Sequence, residues 1–505
     1  MKTSRDTNNR RVFTRYMQEK LAITVLVITL ALFALVYVLY TIVRDRQADY
    51  TQTILGQQDY DSRVIPYRRG DIVDRNGTYL ATSDKVYNLI IDCTQIMAKP
   101  EDTLEPTIAA LVSAFGYDGA ELRRLITENP ESPYIRYERQ LTNDQKENFE
   151  TIKSEANSQY SKEGSKSRVK GVWFEDEYKR TYPYGSTAST VLGFAQKDGS
   201  TGTGGIEQYY NEDLIGNNGR EYGYLNDDSN LERTTKAAVD GYNLVSTLDA
   251  NIQGIVERKL QEYNDTYKNA AREGNGAYNT GCIIMDVNNG NVLAMASYPF
   301  YNLNEPRNTD MLLGQNVINE KAELQETVIN EETLASMDED TLYRQLNALW
   351  KNYCISSTFE PGSTMKPFTV AAGLESGKMT GNETYQCNGS LTVVEGQKPI
   401  KCHSYRVGGD GIVSVAGAVE RSCNVALMKM GQTIGKTTFL KYMQDFNFGL
   451  KTNIDLYGEA RTASLVFTED SMGPMELATA SFGQGFNVTM IQMAAGFSSL
   501  INGGY

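Results

Sequence analysis

The 505-residue sequence contains a single histidine, His403, and six cysteines, none of them arranged as Cys-x-x-Cys. One histidine leaves little room for a zinc site built on histidines and allows at most one Ser-His-Asp triad. Six scattered cysteines are too few to build a disulfide scaffold. The net charge of −14 argues against a general nucleic-acid-binding protein, because phosphate binding requires a basic face. If the chain is an enzyme, we therefore expect its general base to be a side chain other than histidine.

The length and composition indicate a globular protein with more than one domain. A chain of 505 residues exceeds one ordinary domain and suggests two or three. Hydrophobic residues make up 40% of the sequence and aromatic residues 10%, which is typical of globular rather than disordered or fibrous proteins.

Residues 21–43 carry no charge, and these 23 positions are long enough to cross a hydrocarbon core of about 30 Å. The preceding tail, residues 1–20, has six basic and two acidic side chains, a net charge of +4. Positive charge before a span keeps that end in the cytoplasm. A cleaved signal peptide is the alternative, but its apolar core is usually shorter, about 7–15 residues, and small residues follow it. We therefore expect an uncleaved transmembrane anchor, with the remaining chain, of net charge −18, on the outer side.

Residues 44–240 mix helical and strand signals without a cluster of chemically active side chains. The turn signal Asp74-Arg75-Asn76-Gly77 predicts a hairpin, and the apolar residues 86–93 predict a buried strand. Residues 101–155 have helical spacing. The lysine-rich residues 157–170 and the glycine-rich residues 193–240 are typical of exposed loops.

The second half, residues 241–505, opens with a predicted strand at 243–248. Asp249 then begins a predicted amphipathic helix, and the face expected to be apolar consists of Ile252, Ile255, Val256 and Leu260. Residues 281–297 predict a hairpin whose turn is Asn289-Gly290. Residues 305–349 are acid-rich with helical spacing, and we interpret them as an insertion or lid.

The strongest chemical candidate is Ser363 with Lys366. Pro361-Gly362 breaks the preceding chain and an apolar run follows, so that Ser363 is expected to begin a buried helix. Positions three apart share a helix face, which allows the hydroxyl and the amine to meet. A serine becomes a nucleophile when a base takes its proton, and burial lowers the pKa of a lysine toward that role. Ser-x-x-Lys is a weak signal alone, since Ser167 and Lys170 repeat it by chance in the polar region.

Ser422-Cys423-Asn424 is the second candidate. In an extended or loop segment the serine and the asparagine face the same way, so that the serine can relay a proton and the amide can hold both a lysine and a substrate carbonyl. Helix capping is the commoner explanation for these residue types. The segment from Gly431 to Thr437 is one residue short of a phosphate-binding loop and lacks a preceding strand, and we reject that interpretation.

The exported chain resembles the penicillin-binding proteins, most closely the class B monofunctional transpeptidases. The motifs that carry this resemblance extend over nearly all of it: Arg69-Gly70-Asp71 to Asn76-Gly77, Arg180-Thr181-Tyr182-Pro183, Gly205-Ile206-Glu207, the 281–299 hairpin, Phe359-Glu360-Pro361-Gly362-Ser363-Thr364-Met365-Lys366, Ser422-Cys423-Asn424, and Gly483-Gln484-Gly485 with Asn502-Gly503-Gly504. The eight-residue serine motif is specific at that length.

The resemblance implies an α+β multidomain fold. It consists of a transmembrane helix (21–43), a stalk and elongated α+β pedestal of the dimerisation type (44–240), and a serine-type penicillin-binding transpeptidase domain (241–505). In this last domain helices cover both faces of an antiparallel sheet, and a helical subdomain adjoins it. The implied place is the bacterial cell membrane, crossed once, with the N-terminus in the cytoplasm.

The resemblance also implies the reaction, the crosslinking of peptidoglycan stem peptides in division, elongation or sporulation. Ser363 attacks the D-Ala-D-Ala bond, Lys366 takes its proton, Ser422 relays a proton, and Asn424 orients Lys366 and the substrate. β-Lactams mimic D-Ala-D-Ala and stall the acyl-enzyme. No metal or organic cofactor is implied. The implied partners are a polytopic membrane glycosyltransferase, other division or elongation proteins and a second copy of the chain as a homodimer, but no nucleic acid.

The chain departs from the family pattern at its third motif. Family members carry Lys-Thr/Ser-Gly on a strand after an Asn-Gly-Gly turn, and that strand supplies one of the two oxyanion-hole N–H groups. Neither tripeptide occurs in this sequence. Loss of one such donor costs about 10²–10³ in rate. We therefore expect a transpeptidase domain incomplete at its C-terminus and inactive or nearly so, with the motif within several dozen residues beyond Tyr505 in a longer protein.

Three alternatives compete with this interpretation. A β-lactamase or D,D-carboxypeptidase shares the serine motif but needs no pedestal, and a bifunctional class A enzyme would need a glycosyltransferase domain that nothing here resembles. The third is a membrane-anchored scaffold without activity.

The sequence alone does not determine the oxidation state of the cysteines. Cys387 and Cys402 flank a predicted hairpin. Disulfides form outside the membrane, and the sequence does not decide whether these two cysteines pair there. We interpret Cys354 and Cys423 as small buried residues. His403 is expected at the surface or in the hairpin, without a catalytic role.

Overall fold

The computed structural model of the chain describes residues 20, 23–38, 61–196, 199–225, 231–271, 273–274, 276, 280–321 and 323–504. Contacts divide the chain into two units, Met1–Ile65 with Asn218–Ala237 and Pro66–Asn217 with Ala238–Tyr505. The domain limits drawn from the sequence at residues 44 and 241 stay predictions.

The strands are, in chain order, β1 (Asp61–Ile65), β2 (Ile72–Val73), β3 (Tyr79–Ile91), β4 (Ile135–Leu141), β5 (Val172–Thr181), β6 (Phe194–Ala195), β7 (Gly202–Thr203), β8 (Gly219–Leu225), β9 (Leu231–Lys236), β10 (Leu244–Val245), β11 (Thr280–Met285), β12 (Val292–Tyr298), β13 (Asn316–Ile318), β14 (Leu324–Val328), β15 (Thr358–Phe359), β16 (Thr384–Cys387), β17 (Ser390–Leu391), β18 (Ile400–Lys401), β19 (Gly411–Ser414) and β20 (Val488–Thr489).

The α-helices after the N-terminal segment are α1 (Cys93–Met97), α2 (Pro100–Phe115), α3 (Gly119–Glu128), α4 (Asn143–Lys162), α5 (Ser189–Leu192), α6 (Gly205–Tyr209), α7 (Asn211–Leu214), α8 (Ala250–Tyr267), α9 (Glu331–Ser336), α10 (Glu339–Trp350), α11 (Tyr353–Ser356), α12 (Lys366–Glu375), α13 (Val415–Glu420), α14 (Asn424–Ile434), α15 (Lys436–Asp445), α16 (Pro474–Ala480) and α17 (Met490–Asn502). Short 3₁₀ helices cover Thr309–Leu312, Gly362–Met365, His403–Val407 and Ala463–Leu465.

The first unit contains a helix over residues 23–38, whose side chains are exposed, and the antiparallel sheet β1-β8-β9. Among the described residues, no helix has the length and apolarity to cross a membrane. The rest of the predicted span, 21–22 and 39–43, lies outside those residues. The single-pass anchor therefore stays a prediction.

A five-stranded sheet with β3 in its centre forms the core of the pedestal half of the second unit. β3 pairs with β2, β4 and β5, and β10 adds to β2 in parallel. The predicted hairpin is confirmed: the carboxylate of Asp74 accepts the N–H groups of Asn76 and Thr78, 2.8 Å each, which closes the turn between β2 and β3. Residues 86–91 belong to β3 and are buried, as expected for an apolar run.

The remaining predictions for this half were partly wrong. Residues 135–141 form strand β4 within a stretch predicted as helical, because four charged or amide side chains mask its strand pattern. Helix α4 continues to Lys162 into the predicted loop at 157–170. Residues 193–240 contain β6 to β9 and two short helices rather than long loops.

A buried ion-pair network joins three of the pedestal motifs. The Glu207 carboxylate lies 2.7 Å from Nη2 of Arg69 and 2.7 Å from Nε of Arg180, and it accepts the Tyr182 hydroxyl at 3.0 Å. All of these side chains are nearly fully buried. The guanidinium groups also donate to backbone carbonyls, Arg180 to Gly70 and Arg69 to Glu207 itself. Segments far apart in sequence are thereby held together.

The hairpin of β11 and β12 is confirmed and carries helices on both faces. Alternate residues of β12 point to opposite sides: Ala294 and Ala296 pack with Val256 of α8, whereas Met295 packs in a cluster with Ile491 of α17. Asp249 caps α8 through the N–H groups of residues 251 and 252, as predicted. The predicted apolar face of α8 was wrong at one position, since Ile255 is 51% exposed.

Residues 305–349 were predicted as helical, and only their second part is. The first part contains a 3₁₀ turn and the antiparallel pair β13 and β14, and α9 and α10 follow. Trp350, at the end of α10, packs edge-to-face on Phe194 of the pedestal with ring centroids 4.9 Å apart. The segment is therefore packed into the core shared with the pedestal motifs.

Candidate active site

Ser363 lies exposed on a tight 3₁₀ turn that runs directly into α12. Gly362 precedes it with φ of +56°, a conformation that glycine adopts without a Cβ penalty. The hydroxyl of Thr364 donates to the carbonyl of Pro361 at 2.6 Å and closes the turn. The sequence predicted that Ser363 begins a helix, and the structure places it three residues before the α-helix proper.

The glycine-containing loop 483–485 is hydrogen-bonded to this turn. The N–H of Gly362 donates to the carbonyl of Gly483 at 2.8 Å, and a Cβ on Gly483 would lie 2.0 Å from the carbonyl oxygen of Gly362. The N–H of Gly485 donates to the Glu360 carboxylate at 2.8 Å. The strands on either side also pair, β15 with β20. Glycine at 483 is required because the two backbones touch.

Helix α12 is anchored by Phe368 in an aromatic group. Its ring contacts Phe446, Phe448 and Phe497 edge-to-face, with centroids 4.8–5.0 Å apart. Two residues earlier, the side chain of Lys366 is only 1% exposed. The helix that carries the buried Lys366 is thus held in place by aromatic packing.

The Ser-x-Asn segment forms the turn between α13 and α14. Ser422 has φ of +54°, which is uncommon for a residue with a Cβ, and Cys423 is the N-cap residue of α14. The N–H of Cys423 donates to the carbonyl of Ala418 at 2.8 Å and fixes the turn to the preceding helix. Asn424 is the first residue of α14. The side chains of Ser422 and Asn424 do not cap a helix, because both are hydrogen-bonded to Lys366.

Lys366 Nζ donates to the Ser422 carbonyl at 2.6 Å, to Ser422 Oγ at 2.7 Å and to Asn424 Oδ1 at 2.7 Å. Ser422 Oγ in turn lies 2.8 Å from Ser363 Oγ. The four residues named from the sequence therefore lie in one group. Their connection differs from the simple i, i+3 expectation, because the hydrogen-bonded path from Ser363 to Lys366 passes through Ser422.

Burial lowers the pKa of Lys366 below its usual value, against the opposing influence of Cys402, Cys423 and Asp410. The physical cause is the loss of water around an ammonium group, which disfavours the charged form. A buried lysine with a lowered pKa can serve as a proton acceptor, which an exposed one at neutral pH cannot.

The structure also brings together three cysteines that sequence reasoning left apart. Cys387, Cys402 and Cys423 form a cluster with Asp410, in which one ligand atom from each residue lies within 4.8 Å of the others. Cys387 and Cys402, for which a disulfide was left open, are free thiols. The cysteines are far apart in sequence and show no short ligand spacing, so that only the fold reveals the cluster.

The two motifs that the sequence analysis set aside, Ser167 with Lys170 and the segment from Gly431 to Thr437, do not belong to this site. Ser167 lies in an irregular segment after α4, where its N–H contacts Ser165. The segment resembling a phosphate-binding loop joins α14 to α15 at Gly435, and a helix rather than a strand precedes it.

Two family models match consecutive parts of the chain. One, the penicillin-binding protein dimerisation domain, matches residues 64–246, and the other, the penicillin binding protein transpeptidase domain, matches residues 280–505. The second range includes Ser363, Lys366 and the Ser-x-Asn turn.

Curated relatives agree with these matches. Stage V sporulation protein D of Bacillus subtilis (strain 168) is 29% identical over 491 residues, which cover 94% of this chain and 65% of that protein. The peptidoglycan D,D-transpeptidase FtsI of Escherichia coli (strain K12) is 26% identical over 446 residues, or 86% of this chain and 62% of FtsI. The chain thus spans less than two thirds of the length of these two relatives.

Solved structures share the fold. Penicillin-binding protein 2X from Streptococcus thermophilus matches with a TM-score of 0.63 and 23% identity, over 88% of this chain and 59% of that one. PBP2 from Helicobacter pylori, in a complex with MreC, matches with a TM-score of 0.60 and 19% identity, over 88% and 77%. With both of its domain types matched in order and relatives along nearly its whole length, the chain belongs to the class B penicillin-binding proteins.

Proposed function

We propose that this protein is a D,D-transpeptidase that crosslinks peptidoglycan stem peptides through an acyl-enzyme on Ser363. The observation that carries the proposal is the hydrogen-bonded path from the exposed Ser363 hydroxyl through Ser422 to the buried amine of Lys366. A serine needs a base to become a nucleophile, and this path provides one without histidine.

The path allows a balanced proton transfer in both halves of the reaction. Ser363 Oγ attacks the penultimate D-Ala carbonyl while its proton passes to Ser422 Oγ, and the Ser422 proton passes to the neutral amine of Lys366. When the terminal D-Ala leaves, Lys366 returns the proton through Ser422 to the departing amine. An amine from a neighbouring stem then attacks the ester and gives one proton through Ser422 to the neutral Lys366. As the new amide bond forms and the ester bond breaks, that proton returns through Ser422 to Ser363 Oγ, which is thereby freed.

The observed distances fit both protonation states of the lysine. A neutral Lys366 has two N–H donors for the Ser422 carbonyl and Asn424 Oδ1, and its lone pair accepts the Ser422 hydroxyl. A charged Lys366 uses all three N–H donors on the same three oxygen atoms. The proton can therefore move without rearrangement of heavy atoms, and Asn424 serves to hold the amine in place.

Transpeptidation is favoured over hydrolysis by the accompanying domain. A D,D-carboxypeptidase or β-lactamase needs only the serine site, whereas the dimerisation-type domain matched at residues 64–246 accompanies it here. We propose further that residues 21–43 anchor the chain in the bacterial membrane with the site on the outer side. A polytopic glycosyltransferase, other wall-synthesis proteins and a second copy of the chain are the proposed partners.

The decisive experiment is covalent labelling of the 505-residue chain by a penicillin, followed by peptide mass spectrometry. We expect one adduct on Ser363, none in Ser363→Ala, and an unchanged adduct in the matched control Ser167→Ala, which alters the chance Ser-x-x-Lys. An adduct on another residue, or one that survives in Ser363→Ala, would reject the nucleophile.

The lowered pKa of Lys366 predicts the pH dependence of this acylation. Only the neutral amine accepts a proton, so that the rate rises with pH as Lys366 loses its proton and then levels off. Because burial lowers the pKa, the plateau is expected to begin below the ordinary lysine value of 10.5. Adduct formation measured across pH, corrected for spontaneous β-lactam hydrolysis, tests this. A rate that still climbs through pH 10.5 would contradict the assignment.

A further inference from the structure

Three thiols and one carboxylate from separate elements meet beside the Ser-x-Asn turn. Cys387 ends β16, Cys402 precedes the 3₁₀ helix His403–Val407, Asp410 precedes β19, and Cys423 caps α14. Their ligand atoms all lie within 4.8 Å of one another, and Cys402 Sγ is 3.6 Å from Asp410 Oδ2. The three cysteines are buried and Asp410 is half-buried.

The dimensions of this cluster suit a tetrahedral metal site. Zinc binds thiolate sulfur at about 2.3 Å and carboxylate oxygen at about 2.0–2.2 Å, which puts neighbouring ligand atoms about 3.5–4 Å apart. In this structure the ligand atoms lie within 4.8 Å of one another, and a small rotation of the side chains brings them to the spacing of a zinc site. Three sulfur ligands select zinc over magnesium or calcium, which prefer oxygen ligands.

A buried hydroxyl lies close to this cluster in the sequence. Ser404, two residues after Cys402, is 7% exposed, and its Oγ makes no hydrogen bond of normal geometry in the described part of the chain. A buried donor without an ordinary partner is unfavourable. Metal-bound thiolates are acceptors of the kind that this hydroxyl lacks.

The backbone is shaped to bring the ligands together. Gly409, next to Asp410, has φ of +96°, and a Cβ there would lie 2.3 Å from the carbonyl oxygen of Cys387. Gly389, two residues after Cys387, has φ of +86° and accepts the N–H of Cys402 at 2.7 Å. Glycine at these two positions allows three ligand-bearing loops to pack in contact.

We propose that Cys387, Cys402, Asp410 and Cys423 bind one zinc ion as a closed structural site that holds the Ser422–Asn424 turn. All four positions of the tetrahedron are filled by protein ligands, so that the ion has no place for a substrate. Cys423 lies between Ser422 and Asn424, and fixing its sulfur fixes the backbone on both sides. The proposal replaces the sequence-based expectation of a protein without metal, and it is independent of the proposed transpeptidase activity.

Metal analysis of the purified 505-residue chain tests the site directly. Inductively coupled plasma mass spectrometry is expected to find about one zinc per chain, and less than about 0.1 in Cys402→Ser and in Asp410→Asn. His403→Gln is the matched control, because His403 is exposed and its Nδ1 lies 3.5 Å from Cys402 Sγ but outside the cluster. A chain without zinc, or zinc lost in His403→Gln, would overturn the ligand set.

A second measurement uses the unaltered chain and avoids variants that misfold. Alkylation with iodoacetamide, mapped by peptide mass spectrometry, is expected to reach Cys387, Cys402 and Cys423 only after a zinc chelator is added. Cys354 is fully buried in another cluster and serves as the internal control, which the chelator leaves unreactive. If Cys387 and Cys402 react only after reduction, they form a disulfide and the zinc site is rejected.

Discussion

Lys366→Met is expected to lower the rate at which a penicillin acylates Ser363 by about 10²–10⁴-fold, the usual contribution of a positioned base. Methionine fills a similar volume in the buried site but accepts no proton. Ser363 and Ser422 then remain hydrogen-bonded to each other without an acceptor at the end of the path. In time courses of intact mass, no adduct is expected over the period in which the parent chain becomes half-acylated.

A lysine near the end of the same helix gives the control. Lys378 is exposed, three residues after α12 ends, and Lys378→Met removes the same charge without touching the path. We expect Lys378→Met to acylate at the parent rate. Equal rates for Lys366→Met and Lys378→Met would remove Lys366 from the mechanism, whatever the rate of the parent chain. Unfolding measured by circular dichroism separates loss of the base from loss of the fold.

Local turn chemistry in the sequence predicted parts of the fold correctly. Asn289-Gly290 and Asp74-Arg75-Asn76-Gly77 give their hairpins because glycine accepts the positive φ that these tight turns require, +73° at Gly290 and +86° at Gly77. Asp249 caps its helix for the same local reason. These features depend on neighbours in the chain, which a sequence displays directly.

Strands defined by tertiary pairing were missed. Residues 135–141 carry arginine, glutamate and glutamine, and they form β4 because one edge of β3 is available to them. Ile255 is exposed on α8, where Gln253 and Glu257 are buried instead and bond to each other. Hydrophobic periodicity alone could not predict this reversal, since it follows from where polar partners lie.

The site shows the same division between local and distant information. Ser363 and Lys366 were found because their motif is contiguous, but their link through Ser422 spans more than fifty positions and exists only in the folded chain. The cluster of Cys387, Cys402, Asp410 and Cys423 depends entirely on tertiary structure. No spacing in the sequence indicates it, because each ligand comes from a different element.

Glu207→Gln is expected to destabilise the pedestal half by about 3–5 kcal/mol, the cost of breaking a buried ion pair by removal of one partner. The Glu207 carboxylate is fully buried between the guanidinium groups of Arg69 and Arg180. Glutamine keeps the shape but leaves two buried positive charges without a counter-charge. The expected result is a lower transition temperature in differential scanning calorimetry, together with a lower urea midpoint for the affected transition.

An ion pair of equal length but different burial provides the comparison. Arg123 and Glu105 lie 2.7 Å apart, as Arg69 and Glu207 do, but their side chains are 48% and 64% exposed. Water already solvates both partners, so Glu105→Gln is expected to leave the transitions within experimental scatter. If the two variants had equal effects, burial would not be what makes Glu207 important. A large loss only in Glu207→Gln would show that the pedestal motifs depend on one carboxylate shared between two arginines.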